Sequence, residues 1–190
     1  MEQLILSRLE TTAKIIAEVR PEQLSAPTPC REYDVRGVIG HLVGGARAIA
    51  AAARGEPVDL ASFVHADGDY LAELNDDLEA VADDLITQAR AALSDRDLGE
   101  RTLPIGEGMP GKMLLRIALI EAVVHGWDIA KATGQRYEIP DEVAGPMLDG
   151  MRKAFGDAER PPGSAFGPIV PVPGDSPLAE QLIAFTGRTP

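Results

Sequence analysis

Residues 115–133 read LRIALIEAVVHGWDIAKAT, a proline-free run whose apolar side chains recur at the three- and four-residue intervals of a helix. Its most apolar stretch carries Glu121 and His125 four positions apart, so both side chains project from one face. A carboxylate and an imidazole set in hydrocarbon must be paired, hydrogen-bonded or metal-bound. A buried charge without a partner costs several kcal/mol, on the order of a domain's whole stability margin. The rest of the fold therefore has to bring partners to this face. The same stripe, Leu114, Ile117, Glu121, Val124, His125 and Asp128, places up to three ionisable groups on a surface otherwise built of aliphatics.

The 190 residues suffice for one domain with a proper core and no covalent staples. The expectation is a single domain over 1–190, with a bundle over 1–155 and a proline-rich tail with a short terminal helix over 156–190. Thirty acidic against eighteen basic side chains give a net charge of −12, which repels phosphate backbones, so nucleic acid is not an expected partner. The single cysteine, Cys30, forms no internal disulfide, and the first thirty residues show no secretory leader pattern, so a cytoplasmic location is expected. The weakly polar run from Val38 is interrupted by His41 and Arg47, and no membrane segment is expected. Aromatic residues are only 4% of the chain while Ala and Leu dominate the periodic segments, a balance that favours close-packed helices over sheets.

Four long helices follow from periodicity. The first spans about 2–20 and is stopped by Pro21; the second spans about 35–54, capped by Asp34 and ended by Gly55. The third spans about 69–93 in an acidic background. The fourth is announced by Pro110 and Gly111 and ends at Gly134. Between the last two, SDRDLGERTLPIGEGMPG reads as a crossing loop in which RTLPI can form a short extended piece, with Pro104 arguing against a central strand. Shorter helices are expected over about 141–155 and from Leu178. The fold class is all-α: an up-down four-helix bundle with a long crossing loop and short additional C-terminal helices, an architecture that lets ligands project inward from facing helices.

His41 lies between Val38 and Leu42 on the second amphipathic helix, so two helices direct imidazoles toward one interior. Taken alone, Glu121 and His125 read equally as a surface ion pair, and His41 as a satisfied core histidine. Taken together, two imidazoles and a carboxylate are a ligand set for a divalent transition metal that keeps positions open for water or substrate. Asp128 reads either as the acceptor for the free ring N–H of a ligand histidine or as a surface acid near Lys131. Trp127 reads as packing against a neighbouring helix or as a pocket wall. His65, in FVHADGD, reads as a solvated loop residue at most lining the pocket mouth. Cys30, on a proline-rich loop beside Arg31, reads as a structural thiol, with a reactive role as the alternative.

Two segments, TPCREYDVRGVIGHLVGG and IEAVVHGWDIAKATGQ, resemble the DinB-like metal-binding bundles, most closely the actinobacterial branch that includes the amino-terminal domain of mycothiol-dependent maleylpyruvate isomerase. The C-terminal run AFGPIVPVPGDSPLAEQLIAFTGRTP is also similar to the endings of small proteins in that branch, so the likeness covers nearly the whole chain. The resemblance implies His41, Glu121 and His125 as three metal ligands. Zinc is the usual ion, another divalent transition metal such as nickel the alternative, and mycothiol a possible cosubstrate. Tyr33 stands where the family more often has tryptophan and keeps the aromatic packing. The isomerase also has a carboxy-terminal domain that helps form its active site, and this chain is too short to carry one, so maleylpyruvate isomerisation itself is not transferred.

Three functions share these residues. One is a thiol transferase or isomerase acting on a small electrophile with a low-molecular-weight thiol; the second is a zinc hydrolase of a small ester or amide; the third is a non-catalytic metal-binding or stress-response module. Expected partners are small molecules, with a homodimer as a further possibility, and no catalytic residue beyond the ligands is legible.

Overall fold

The computed structural model describes residues 1–65, 69–156, 160 and 166–190. It divides into two compact units, Met1–Gln135 and Arg136–Pro190.

In the first unit, the four long helices are α1 (Glu2–Ala17), α2 (Val35–Ala53), α5 (Leu78–Leu93) and α6 (Gly111–Thr133). Between α2 and α5 lie two short helices, α3 (Leu60–His65) and α4 (Tyr70–Glu73). Helices α1 and α2 each pack against both α5 and α6, which gives the ring order α1, α5, α2, α6. The connections from α1 to α2 and from α5 to α6 therefore cross the bundle. The second crossing carries a two-stranded antiparallel hairpin, β1 (Thr102–Leu103) with β2 (Met109–Pro110), matching the short extended piece expected there. The core is aliphatic: Ile5 and Ile16 of α1, Val38 and Ile39 of α2, Val81 and Leu85 of α5, and Leu114 and Val123 of α6 are buried. Among the described residues, no helix is long and apolar enough to cross a membrane.

Local chemistry accounts for the boundaries. Asp34 caps α2 by accepting from the Gly37 amide at 2.8 Å. Helix α1 ends at Ala17 rather than near Arg20, because Arg20 precedes a proline and takes the extended conformation (φ −85°, ψ 146°), with Pro21–Gln23 forming a separate 3₁₀ turn. The single third helix expected over 69–93 is broken. Asn75 and Asp76 adopt left-handed backbone (φ 55° and 57°), which short polar side chains tolerate, and Asp77 recaps α5 by accepting from Glu79 and Ala80 amides at 3.1 Å. Arg36 of α2 holds the turn from outside, donating to Asp69 and Asp76 at 2.8 Å each. The polar connection before it contains α3, and His65, read as a loop residue, is the last residue of that helix; its side chain lies outside the described residues.

Three hydrogen bonds tie α1 and the turn after it to α6 and the residues just beyond its end. Buried Thr12 Oγ1 donates to the Ala122 carbonyl at 2.9 Å, one residue from Glu121, while Gln135 Nε2 reaches the Ile15 carbonyl and Gln23 Nε2 the Thr133 carbonyl at 3.0 Å each. The second unit holds α7 (Asp141–Phe155) and α8 (Leu178–Phe185), which pack together through buried residues such as Val143, Met147 and Met151 on α7 and Leu182, Ile183 and Phe185 on α8. Helix α7, expected as the end of the bundle segment, thus groups with α8.

Gly111 opens α6 where the crossing loop returns. A Cβ there would stand 1.8 Å from the Leu98 carbonyl oxygen, a backbone atom that cannot swing away. Gly111→Ala is expected to lower unfolding free energy by about 1–3 kcal/mol, the usual range for overpacking, read by urea denaturation; a change below about 0.5 kcal/mol contradicts this close approach.

Candidate metal centre

Helices α2 and α6 bring His41, Glu121 and His125 to one point. His41 Nε2 lies 2.9 Å and His125 Nε2 3.0 Å from the same Glu121 oxygen, Oε2. The two rings meet edge to face, 5.2 Å between centroids and 78° between planes. One donor atom from each residue thus sits within 4.8 Å of the other two.

Each imidazole is held by a neighbouring side chain. Asp128, fully buried one turn beyond His125, holds His125 Nδ1 at 3.0 Å from its Oδ2, which turns Nε2 toward Glu121. Of the two readings of Asp128, the structure places it as the histidine's partner. His41 is stacked by Tyr33, 5.4 Å between centroids at 25°. That stacking needs Gly37: a Cβ on it would come within 2.9 Å of Tyr33 Cδ1. Among the described residues, His41 Nδ1 is buried without a hydrogen-bond partner. Trp127 stands two residues beyond His125, about 200° around the helix, and its ring faces Lys131 Nζ at 5.5 Å.

Exposure is graded across the cluster. The His41 and His125 side chains are 13% and 10% exposed, whereas Glu121 is 33% exposed. The imidazoles are thus largely shielded from solvent, while the carboxylate stays partly exposed.

The electrostatics follow from this crowding. Burial pushes the His125 ring toward the neutral form, but the Glu121 and Asp128 carboxylates outweigh it and raise the pKa to about 10. Burial likewise favours protonated Glu121, yet His125 and His41 outweigh it and hold that carboxyl well below its usual range. Each shift is a stability contribution with its own window. The contribution of His125 is fully present below its ordinary value of 6.5 and fades as pH climbs to about 10; that of Glu121 is present above 4.5 and is lost on acidification.

Cys30 completes the surroundings. Its sulfur, one His125 ring nitrogen and an Asp128 oxygen all lie within 4.8 Å of one another. Sequence reasoning missed this because Cys30 and His125 are ninety-five positions apart, and no local signal connects them.

A mostly helical bundle of this kind, with one small hairpin, is a DinB-like all-α fold. The chain belongs to the family of the mycothiol maleylpyruvate isomerase N-terminal domain, whose family model matches residues 7–130 and so includes all three side chains of the cluster. It is 35% identical over 179 residues to uncharacterized proteins of Mycobacterium tuberculosis strains CDC 1551 / Oshkosh and H37Rv, covering 93% of this chain and 91% of each relative. No solved structure matches the chain.

In the metal-free protein the His125 ring is expected to stay protonated through about pH 8, read by histidine NMR, and Asp128→Asn to lower its titration midpoint. Titration of His125 near 6.5 in the unmodified protein contradicts the clustering of carboxylates around it.

Proposed function

We propose that His41, Glu121 and His125 hold a divalent transition metal, zinc foremost and nickel as an alternative. On this reading the protein uses mycothiol or a related low-molecular-weight thiol in a transfer or isomerisation reaction on a small electrophile. The observation that carries the metal assignment is the convergence of two Nε2 atoms on one carboxylate oxygen at 2.9 and 3.0 Å. Two ligands about 2.1 Å from one cation stand roughly 3.0–3.4 Å apart for angles between a right angle and the tetrahedral one. Each imidazole is therefore already spaced from the carboxylate oxygen as a neighbouring ligand would be, and all three donors lie within 4.8 Å of one another. His41 Nδ1, buried and unpartnered among the described residues, is consistent with a ring placed for what lies at its Nε2. Three protein donors leave positions open, the mark of a catalytic rather than a structural site.

The thiol enters from the family description, which names mycothiol. When bound, a cation of this type lowers the pKa of a coordinated thiol so that the sulfur is a nucleophile near neutral pH. The protein's own residues supply the rest. Asp128 orients the His125 ring through Nδ1, and Tyr33 stacks on His41. Glu121 is the most exposed of the three, so thiol and electrophile would approach from its side. Addition of thiolate to an unsaturated substrate, rotation and elimination give isomerisation; retention of the adduct gives transfer.

Isothermal titration and elemental analysis test both parts. Substitution of His41 or His125 by Ala is expected to weaken metal binding by more than about 100-fold, and Asp128→Asn by about 10–100-fold. With cobalt in a Cys30→Ser background, added mycothiol is expected to produce a sulfur-to-metal charge-transfer band and saturable binding that the metal-free protein lacks. Full metal stoichiometry in His125→Ala rejects the ligand set. Equal thiol binding with and without metal rejects the thiol chemistry, and ester or amide turnover without a charge-transfer band favours the hydrolase.

A further inference from the structure

His125 has two faces. Its Nε2 looks to Glu121, and its Nδ1, on the other edge of the ring, looks to Asp128 at 3.0 Å, with the Cys30 sulfur beside them. We propose that Cys30, His125 and Asp128 form a second, sulfur-containing metal-binding set, suited to a thiophilic divalent cation of the cadmium or zinc type. Its carboxylate meets His125 at Nδ1, whereas Glu121 meets the ring at Nε2.

Four observations support it. Sulfur, nitrogen and carboxylate oxygen are mutually within 4.8 Å, so closing onto one ion, where neighbouring ligands stand roughly 3–4 Å apart, asks for a contraction of about an ångström. The thiol comes from a pinned backbone: Thr28 Oγ1 accepts from the Cys30 amide at 3.1 Å and donates to the Tyr33 carbonyl at 2.6 Å, and Pro27 bridges Asp34. Access is graded in the right sense, because Asp128 is fully buried while Cys30 is half-buried, so an ion arrives past the sulfur. The donor chemistry is balanced. A thiolate and a carboxylate neutralise a dication in a low-dielectric site, and the soft sulfur favours thiophilic ions over magnesium or calcium.

A neutral imidazole offers one lone pair at a time, so an ion on Nδ1 leaves Nε2 carrying the ring proton. On the reading of the first centre proposed above, occupation of the sulfur set withdraws His125 from it, and thiophilic ions become antagonists of the metal held with His41 and Glu121. The existence of the sulfur set does not depend on that reading, because it uses neither His41 nor Glu121.

The test is titration of the full-length, metal-free protein with cadmium in the absence of any added thiol, read by sulfur-to-cadmium charge-transfer absorbance. The expected result is a band that saturates at one equivalent, is abolished by Cys30→Ser, and persists in His41→Ala. Asp128→Asn is expected to shift the midpoint about tenfold or more. Circular dichroism establishes that each variant is folded, and if Asp128→Asn is not, Cys30→Ser, half-buried, and His41→Ala, outside the sulfur set, carry the test. Absence of the band in the unmodified protein overturns the proposal, as does its loss in a folded His41→Ala, which assigns the sulfur to the first centre. A band that persists in His41→Ala while zinc stoichiometry in Cys30→Ser fails separates the two claims, sustaining the sulfur set and rejecting the first centre.

Discussion

The contact on which the rest of the bundle's polar interior depends is the double approach of His41 and His125 to a single Glu121 oxygen. Two helices of an aliphatic bundle each present a polar group to the interior, and neither is stable there unless the other arrives in register. The packing of α2 against α6 is thus tied to electrostatics as well as to apolar area. Thr12 reinforces the same register from the third side, since its hydroxyl fastens α1 to the carbonyl next to Glu121.

The segment ahead of α2 connects folding to chemistry. Asp34 starts the helix, Tyr33 stacks on the His41 ring nearly two turns into it, and Cys30 reaches across to the residues of α6. Backbone bonds from Val35 to Ala26 and from Arg36 to Leu24 hold that segment against the helix it initiates. A few residues therefore determine the helix start, the orientation of one imidazole and the surroundings of the other. Gly37 is the reason the aromatic fits: the missing side chain leaves room for the Tyr33 ring beside α2.

What could be read from sequence was local. Glu121, His125 and Asp128 lie within one helix, so their shared face followed from the helical repeat, as did the four long helices and the caps at Asp34 and Gly134. The break between Leu74 and Asp77 was hidden because the apolar spacing continues straight across it, while the cause, two consecutive left-handed residues held by Arg36, is a matter of tertiary contact. Whether His41 reaches α6 was also beyond periodicity, which gives a face but not the neighbour it meets. The same limit concealed Cys30, whose companions lie ninety-five and ninety-eight positions later in the chain.

The central claim is that two imidazoles and one carboxylate hold one cation together. The most direct measurement is anomalous diffraction from crystals of the zinc-loaded protein, collected on both sides of the metal absorption edge. The account predicts one strong peak about 2.1 Å from His41 Nε2, His125 Nε2 and a Glu121 oxygen, with further density at the open positions. A zinc peak elsewhere in the bundle, or none while His41 and His125 still share the Glu121 oxygen as hydrogen-bond donors, contradicts it.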